Sequence, residues 1–128
     1  MPIVLVDSDI LIDFSRRIEN AAEWIDNFES HSSLAISSIT QMELFVGALN
    51  KSHLRETQEF LRRFQIVHVS EPVSILASEL VLKFSLSHKL RVADAIIAAT
   101  AISFDYDFAT KNQRDFKFIG DLKLLPYP

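Results

Sequence analysis

The chain has 128 residues, 48% of them hydrophobic and ten of them Phe, and a net charge of −4. Its length and hydrophobicity exclude disorder, suit a single domain over 1–128 with its own core, and leave every apolar run too short to cross a bilayer. With no Cys and only Gly47 and Gly120, thiolate zinc sites, Cys nucleophiles, P-loops and dinucleotide loops are excluded, and no nucleotide cofactor is expected.

His31, His53, His68 and His88 show no metal-ligand spacing, so a His-based zinc site is not expected either. The negative net charge argues against a simple DNA-binding module; a polyanion would need a local basic patch. The lack of Cys fits a reducing compartment, and no secretory signal is recognisable, so the expected location is the cytoplasm.

In chain order, Ile3-Val4-Leu5-Val6 is an unbroken apolar run, the pattern of a strand covered on both faces, and it ends abruptly in Asp7-Ser8-Asp9. Ile10, Leu11 and Phe14 predict a short helix, with Arg16 and Arg17 just beyond it. The spacing of Ala21, Trp24, Ile25 and Phe28 predicts an amphipathic helix ending near Ser30, and Leu34 to Ser37 reads as a second strand. Capping-box spacing from Ser38 to Gln41, or Thr40 to Glu43, opens the next helix. Its expected buried stripe is Met42, Phe45, Val46 and Leu49, with Glu43 outside the stripe and in the first turn. Leu54, Phe60, Leu61 and Phe64 mark its hairpin partner, and Ile66 to Val69 a third strand. Pro72 opens a helix whose stripe, Val73, Leu76, Ala77, Leu80, Val81 and Phe84, is the clearest periodic signal in the chain. A polar break from Ser85 to Arg91 precedes a small-residue helix from Asp94 to Ala101, with Asp94 in its opening turn. Tyr106 to Thr110 is a fourth strand, Lys111 to Phe116 a polar turn, and Leu122 to Leu125 a last short strand. Strands alternating with helices predict an α/β domain with a mostly parallel central sheet.

Ligands of such sheets bind beyond the carboxyl ends of the strands. Asp7 lies at one such end, Glu43 and Asp94 in opening turns of helices, and Asp115 after the fourth strand, so parallel neighbours would bring four carboxylates to one edge. Carboxylates gathered with no Lys among them repel, and a hard divalent cation, Mg²⁺ or Mn²⁺, relieves the repulsion. Such an ion can activate water and stabilise charge on a phosphodiester, which is nuclease chemistry.

Each acid alone has a plainer role. Glu43 can be the far half of a capping box with Thr40, and Asp94 can complement its helix dipole. Asp7 is harder to explain structurally, because an acid closing a buried strand is costly without a partner. Asp9 and Asp13 read as caps or solvent-facing groups, and Asp105 and Asp107 as a turn and a strand edge. Thr110 reads either as a β-branched strand residue or, with Asn112, as a group orienting water at the ion. Asp115 is favoured over Asn112 as fourth ligand because it adds charge. Arg16, Arg17, Arg91, Lys111 and Arg114 flank the acidic segments and form a candidate basic rim for the phosphates of a nucleic acid, or else are ordinary solvated charges. The Phe-rich hairpin around Phe45, Phe60 and Phe64 offers apolar area for a partner, or simply fills the core.

Taken together, these segments resemble the PIN-domain ribonucleases, and within them the VapC toxins of VapBC toxin–antitoxin pairs. The resemblance runs over the whole chain. It rests on Ile3 to Asp9, on Ser38 to Leu44 with Gly47-Ala48, on Ala93 to Ala99, and on Ala109 to Phe116. It implies a PIN-like three-layer domain and a Mg²⁺-dependent endoribonuclease whose first three acids match Asp7, Glu43 and Asp94. It also implies a homodimer and a cognate VapB-like antitoxin laid over the site. The chain departs from the pattern twice: Asp9 stands where such proteins commonly have Asn, and Asn112 stands where many have Asp, while others carry an acid at the position of Asp115.

Two rival readings use the same acids. Asp7-Ser8-Asp9 fits the nucleophile motif of haloacid-dehalogenase-like phosphatases, but Ile10 follows where Gly or Thr is usual. A non-enzymatic, Mg²⁺-binding receiver-like module would need a phosphoacceptor Asp after a central strand, and Val69-Ser70-Glu71 supplies none.

Overall fold

The computed structural model describes residues 2–128. Its elements are β1 (Ile3–Val6), α1 (Ser8–Ser15), α2 (Glu19–Glu29), β2 (Ser33–Ser37), α3 (Ser38–Val46), α4 (Lys51–Leu61), β3 (Gln65–Val67), α5 (Glu71–His88), α6 (Val92–Ser103), β4 (Asp107–Ala109), a 3-10 turn (Gln113–Asp115) and β5 (Lys123–Leu124). The five strands form one sheet in the order β3-β2-β1-β4-β5, and every pairing is parallel, a stricter arrangement than the mostly parallel sheet expected.

The continuous apolar run of β1 follows from burial on both faces. Val4 and Val6 join Leu34, Ile36 and the apolar faces of α1 and α2 in one core, while Leu5 and Ala35 join α5 and α6 in the other. Alternate side chains of a strand point to opposite faces, so a strand with helices above and below must be apolar at every position. In α6, Ala95, Ile97, Ala98, Ala99, Thr100 and Ala101 are all buried. Its small side chains let it lie deep beneath α5.

Four expectations are corrected. The helix after β2 starts at Ser38 with Ser37 as its cap, the Ser37 hydroxyl accepting the Ile39 N–H at 3.2 Å, so neither capping box forms. Glu43 therefore lies in the second turn rather than the first. The same start turns the expected stripe outward: Thr40 and Leu44 are buried, Phe45 is partly buried, and Met42, Val46 and Leu49 are 51%, 86% and 85% exposed. Helix α5 runs through the expected polar break to His88, and Lys89 ends it in the left-handed conformation at φ 54°. That cap is usually Gly or Asn, so its residue type gave no signal.

Candidate active site

The strand order reverses at β1, which has β2 on one side and β4 on the other, and the carboxyl edge beside such a reversal is the place where open parallel sheets bind ligands. Asp7 emerges there. Its backbone N–H donates to the Ala109 carbonyl at 2.9 Å, which continues the β1–β4 pairing one residue beyond the strand. Its side chain caps α1: Oδ1 accepts the Ser8 N–H at 2.8 Å, and Oδ2 accepts the Thr110 hydroxyl at 2.8 Å. Asp7 and Thr110 are both buried. Burial first, and then the charge of Asp9, pushes the Asp7 carboxyl up to about 7, against the lowering effect of the Thr110 and Ser8 hydrogen bonds; Asp94 raises it further.

The other acids share this field. Burial and then Asp94 push the Glu43 carboxyl up, while the Ser8 hydroxyl and Arg91 oppose the shift. Burial also raises Asp94, with Asp115 and Asp9 adding to it; Arg91, 3.4 Å away, is the opposing charge. Asp94 thus shares its field with Asp7, Glu43 and Asp115, although the four come from the end of β1, α3, α6 and the turn after β4. Among the described residues, however, no three His, Cys, Asp or Glu side chains are drawn together tightly enough to ligate one ion. The donor set still fits Mg²⁺ or Mn²⁺. All its acids supply hard oxygens, their mutual repulsion favours a cation, and Mg²⁺ commonly binds through one or two carboxylates while keeping several waters.

The remaining expected residues divide. Thr110 is in the site. Asn112 joins it through its backbone, whose N–H lies 3.2 Å from the Thr110 hydroxyl, while its side chain makes no cap at the 3-10 turn. Lys111 is tied to Asp13 at 2.9 Å and Arg91 to Asp94, so both have local partners. Arg16, Arg17 and Arg114 enter no ion pair among the described residues. Arg16 and Arg17, with Leu11, Leu44, Leu49 and Glu43, line a groove of about 760 Å³ between α1, α3 and α4. Phe64 is buried, and Phe45 and Phe60 are partly buried against the same core, with Phe60 also lining the groove, so the Phe-rich hairpin both fills the core and leaves apolar area open.

Two contributors were missed. The Ser8 hydroxyl donates to Asp7 Oδ1 at 3.4 Å and opposes the upward shift of Glu43, and Asp9 faces inward rather than toward solvent. The sequence signal for Ser8 is its place beside Asp7, and for Asp9 that place together with an acid where the resembling proteins commonly have Asn.

A parallel sheet with helices on both faces and an acid-lined carboxyl edge defines the class, and the chain belongs to the PIN domain family, whose model matches residues 4–122. Within that family its curated relatives are ribonucleases of the VapC type, and this chain is an enzyme of that kind. It is 31% identical over 121 residues to ribonuclease VapC10 of Mycobacterium tuberculosis, covering 94% of this chain and 90% of that protein. It is 32% identical over 124 residues to VapC19 of the same organism, covering 93% and 96%. Among solved structures, a toxin–antitoxin complex from Klebsiella pneumoniae contains a chain 30% identical to this one, with TM-score 0.82 and 96% of each chain covered. VapBC2 from Rickettsia felis, bound to a promoter DNA fragment, shares the fold at TM-score 0.81 and 23% identity, covering 98% and 99%. Neither the phosphatase nor the receiver reading has comparable support.

Proposed function

We propose that this chain is the toxin of a type II toxin–antitoxin pair and hydrolyses RNA phosphodiesters with the aid of Mg²⁺ or Mn²⁺. The observation that carries the reading is the buried, upward-shifted Asp7 carboxyl set among the repelling charges of Asp9 and Asp94. Asp7, Glu43, Asp94 and Asp115 would hold the ion. When bound, a divalent cation supplies activation of water and neutralisation of charge on the phosphodiester. The protein's own part is to keep the acids apart and oriented: Ser8 and Thr110 steady Asp7, and Arg91 limits the negative charge at Asp94. Arg16, Arg17 and Arg114, joined by Lys111 and Arg91 where their ion pairs open, would hold RNA phosphates around that acidic centre.

The complex seen for the Klebsiella pneumoniae relative supports a VapB-like antitoxin as partner, and the groove between α1, α3 and α4 gives it apolar area beside Glu43. We also infer a cytoplasmic homodimer of single-domain chains. No helix among the described residues is long and apolar enough to cross a membrane.

The test is incubation of the purified protein with single-stranded RNA. Cleavage should require Mg²⁺ or Mn²⁺, stop in EDTA, and return when the metal is restored. Cleavage that persists in EDTA would reject the proposed metal dependence.

A further inference from the structure

Both carboxylate oxygens of Asp9 are engaged inside the protein. Oδ1 accepts the Ile10 N–H at 2.8 Å. Oδ2 lies within hydrogen-bond distance of three donors: the Thr110 hydroxyl at 3.1 Å and the backbone N–H groups of Lys111 and Asn112, each at 3.0 Å. Two successive backbone N–H groups converging on one oxygen form a small concavity for an anion. These bonds tie the first turn of α1 to the segment that follows β4, more than 100 residues later in the chain.

The consequence reaches two acids of the site. Thr110 has a single hydroxyl proton, with Asp7 Oδ2 at 2.8 Å and Asp9 Oδ2 at 3.1 Å, so its position is defined by both carboxylates. On the other side, the Asn112 carbonyl accepts the Asp115 N–H at 3.1 Å, and the turn carrying Asp115 therefore hangs from the residue whose N–H Asp9 holds. The Gln113 side chain fastens the same segment from behind, donating to the Thr110 and Leu125 carbonyls at 2.7 and 3.1 Å.

We propose that Asp9 is a positioning residue for phosphodiester cleavage, holding Thr110 against Asp7 and setting the turn that carries Asp115. The proposal rests on the ribonuclease reading above. It also explains why an acid suits this position. Every neighbour of the two oxygens is a donor, and an amide would turn its own N–H groups toward either the Ile10 N–H or the Lys111 and Asn112 N–H groups. Asn is therefore not an equivalent residue in this chain.

The test compares Asp9→Asn, Thr110→Val and the double variant with the wild type in the full chain. The measurements are kcat and KM on a fluorogenic single-stranded RNA, thermal unfolding, and the amide proton shifts of Lys111 and Asn112. Each single variant should lower kcat by about tenfold or more with KM within about twofold, the pattern of a group that acts only in the transition state. The double variant should be no slower than the slower single, because Asp9 acts through Thr110. In Asp9→Asn the two amide protons should shift upfield as their charged acceptor is lost. A wild-type kcat in Asp9→Asn, additive losses, unmoved amide shifts, or a kcat loss that only tracks loss of folded protein would each overturn the proposal. If the wild type cleaves no RNA, the ribonuclease reading is what fails, and the amide shifts still decide whether Asp9 holds the segment.

Discussion

Burial lifts the Asp7 carboxyl to about 7, whereas in the unfolded chain it titrates as an ordinary carboxylate. The folded state therefore binds this proton more tightly than the unfolded state does. Its contribution to stability is full below about pH 4 and is lost as pH rises through about 7, a difference of up to roughly 4 kcal/mol. Asparagine removes that penalty without breaking the local bonds: its Oδ1 can accept the Ser8 N–H, its amide can donate to Thr110, and Thr110 can then donate to Asp9. Asp7→Asn should thus raise the melting temperature at pH 8 in EDTA and flatten its pH dependence, while lowering RNA cleavage by about two orders of magnitude. A lower melting temperature at pH 8 would contradict the assignment. Asp115, which raises Asp94, is the better candidate for the fourth acid than Asn112, whose neutral amide brings no charge to the ion. Asp115→Asn should raise the Mg²⁺ concentration for half-maximal cleavage and be partly rescued by added metal. Asn112→Ala should slow cleavage with less effect on metal demand. Titrating Mg²⁺ against initial rate for both variants checks this.

Helix α5 shows how much a single backbone conformation decides. It continues past Ser85 because Phe84 packs into the core beneath it and the Phe84 ring meets the rings of His88 and Phe118, centroids 5.6 and 4.9 Å apart, so the last turn has something to rest on. Lys89 then takes the left-handed conformation, which crowds a Cβ and costs about 1 kcal/mol or more in a non-glycine residue. Lys89→Gly should raise stability by up to about 1 kcal/mol, read as a higher denaturant midpoint with unchanged slope. Helix α3 makes the opposite point. Its periodicity was visible in the sequence, but the face that periodicity buries depends on where the helix starts. With Ser37 as the cap, Thr40 and Leu44 point inward and Met42 and Val46 point out.

Across the whole molecule the exposed apolar surface is unevenly spread. Ile75, Leu82 and Leu86 follow one face of α5, and Val92, at the start of α6, lines the same shallow pocket as Leu82; Leu82 is 86% and Leu86 97% exposed. Side chains of this size left open along one helix face mark a contact surface. The homodimer is therefore expected to use this face, whereas the α3–α4 hairpin, whose Met42, Val46 and Leu49 are also exposed, borders the groove assigned to the antitoxin. Wild-type protein should run as a dimer in light scattering, and the double substitution Leu82→Lys with Leu86→Lys should give a folded monomer. A wild-type monomer at micromolar concentration would remove the dimer, and a dimer that survives the substitutions would move its interface elsewhere.

The α/β class, all five strands and six helices to within a few residues, and the acids at the carboxyl edge were legible in the order of residues. Periodicity reports burial, and an apolar run ending in Asp7 reports a buried strand with a charge at its tip. The meeting of Asp9 with Thr110, Lys111 and Asn112 was not legible, because it joins positions 101 to 103 residues apart and uses backbone donors common to nearly every residue type. Nor was the exposure of Val46 and Leu86, since local pattern states which residues can be buried, while the placement of neighbouring elements decides which of them are covered.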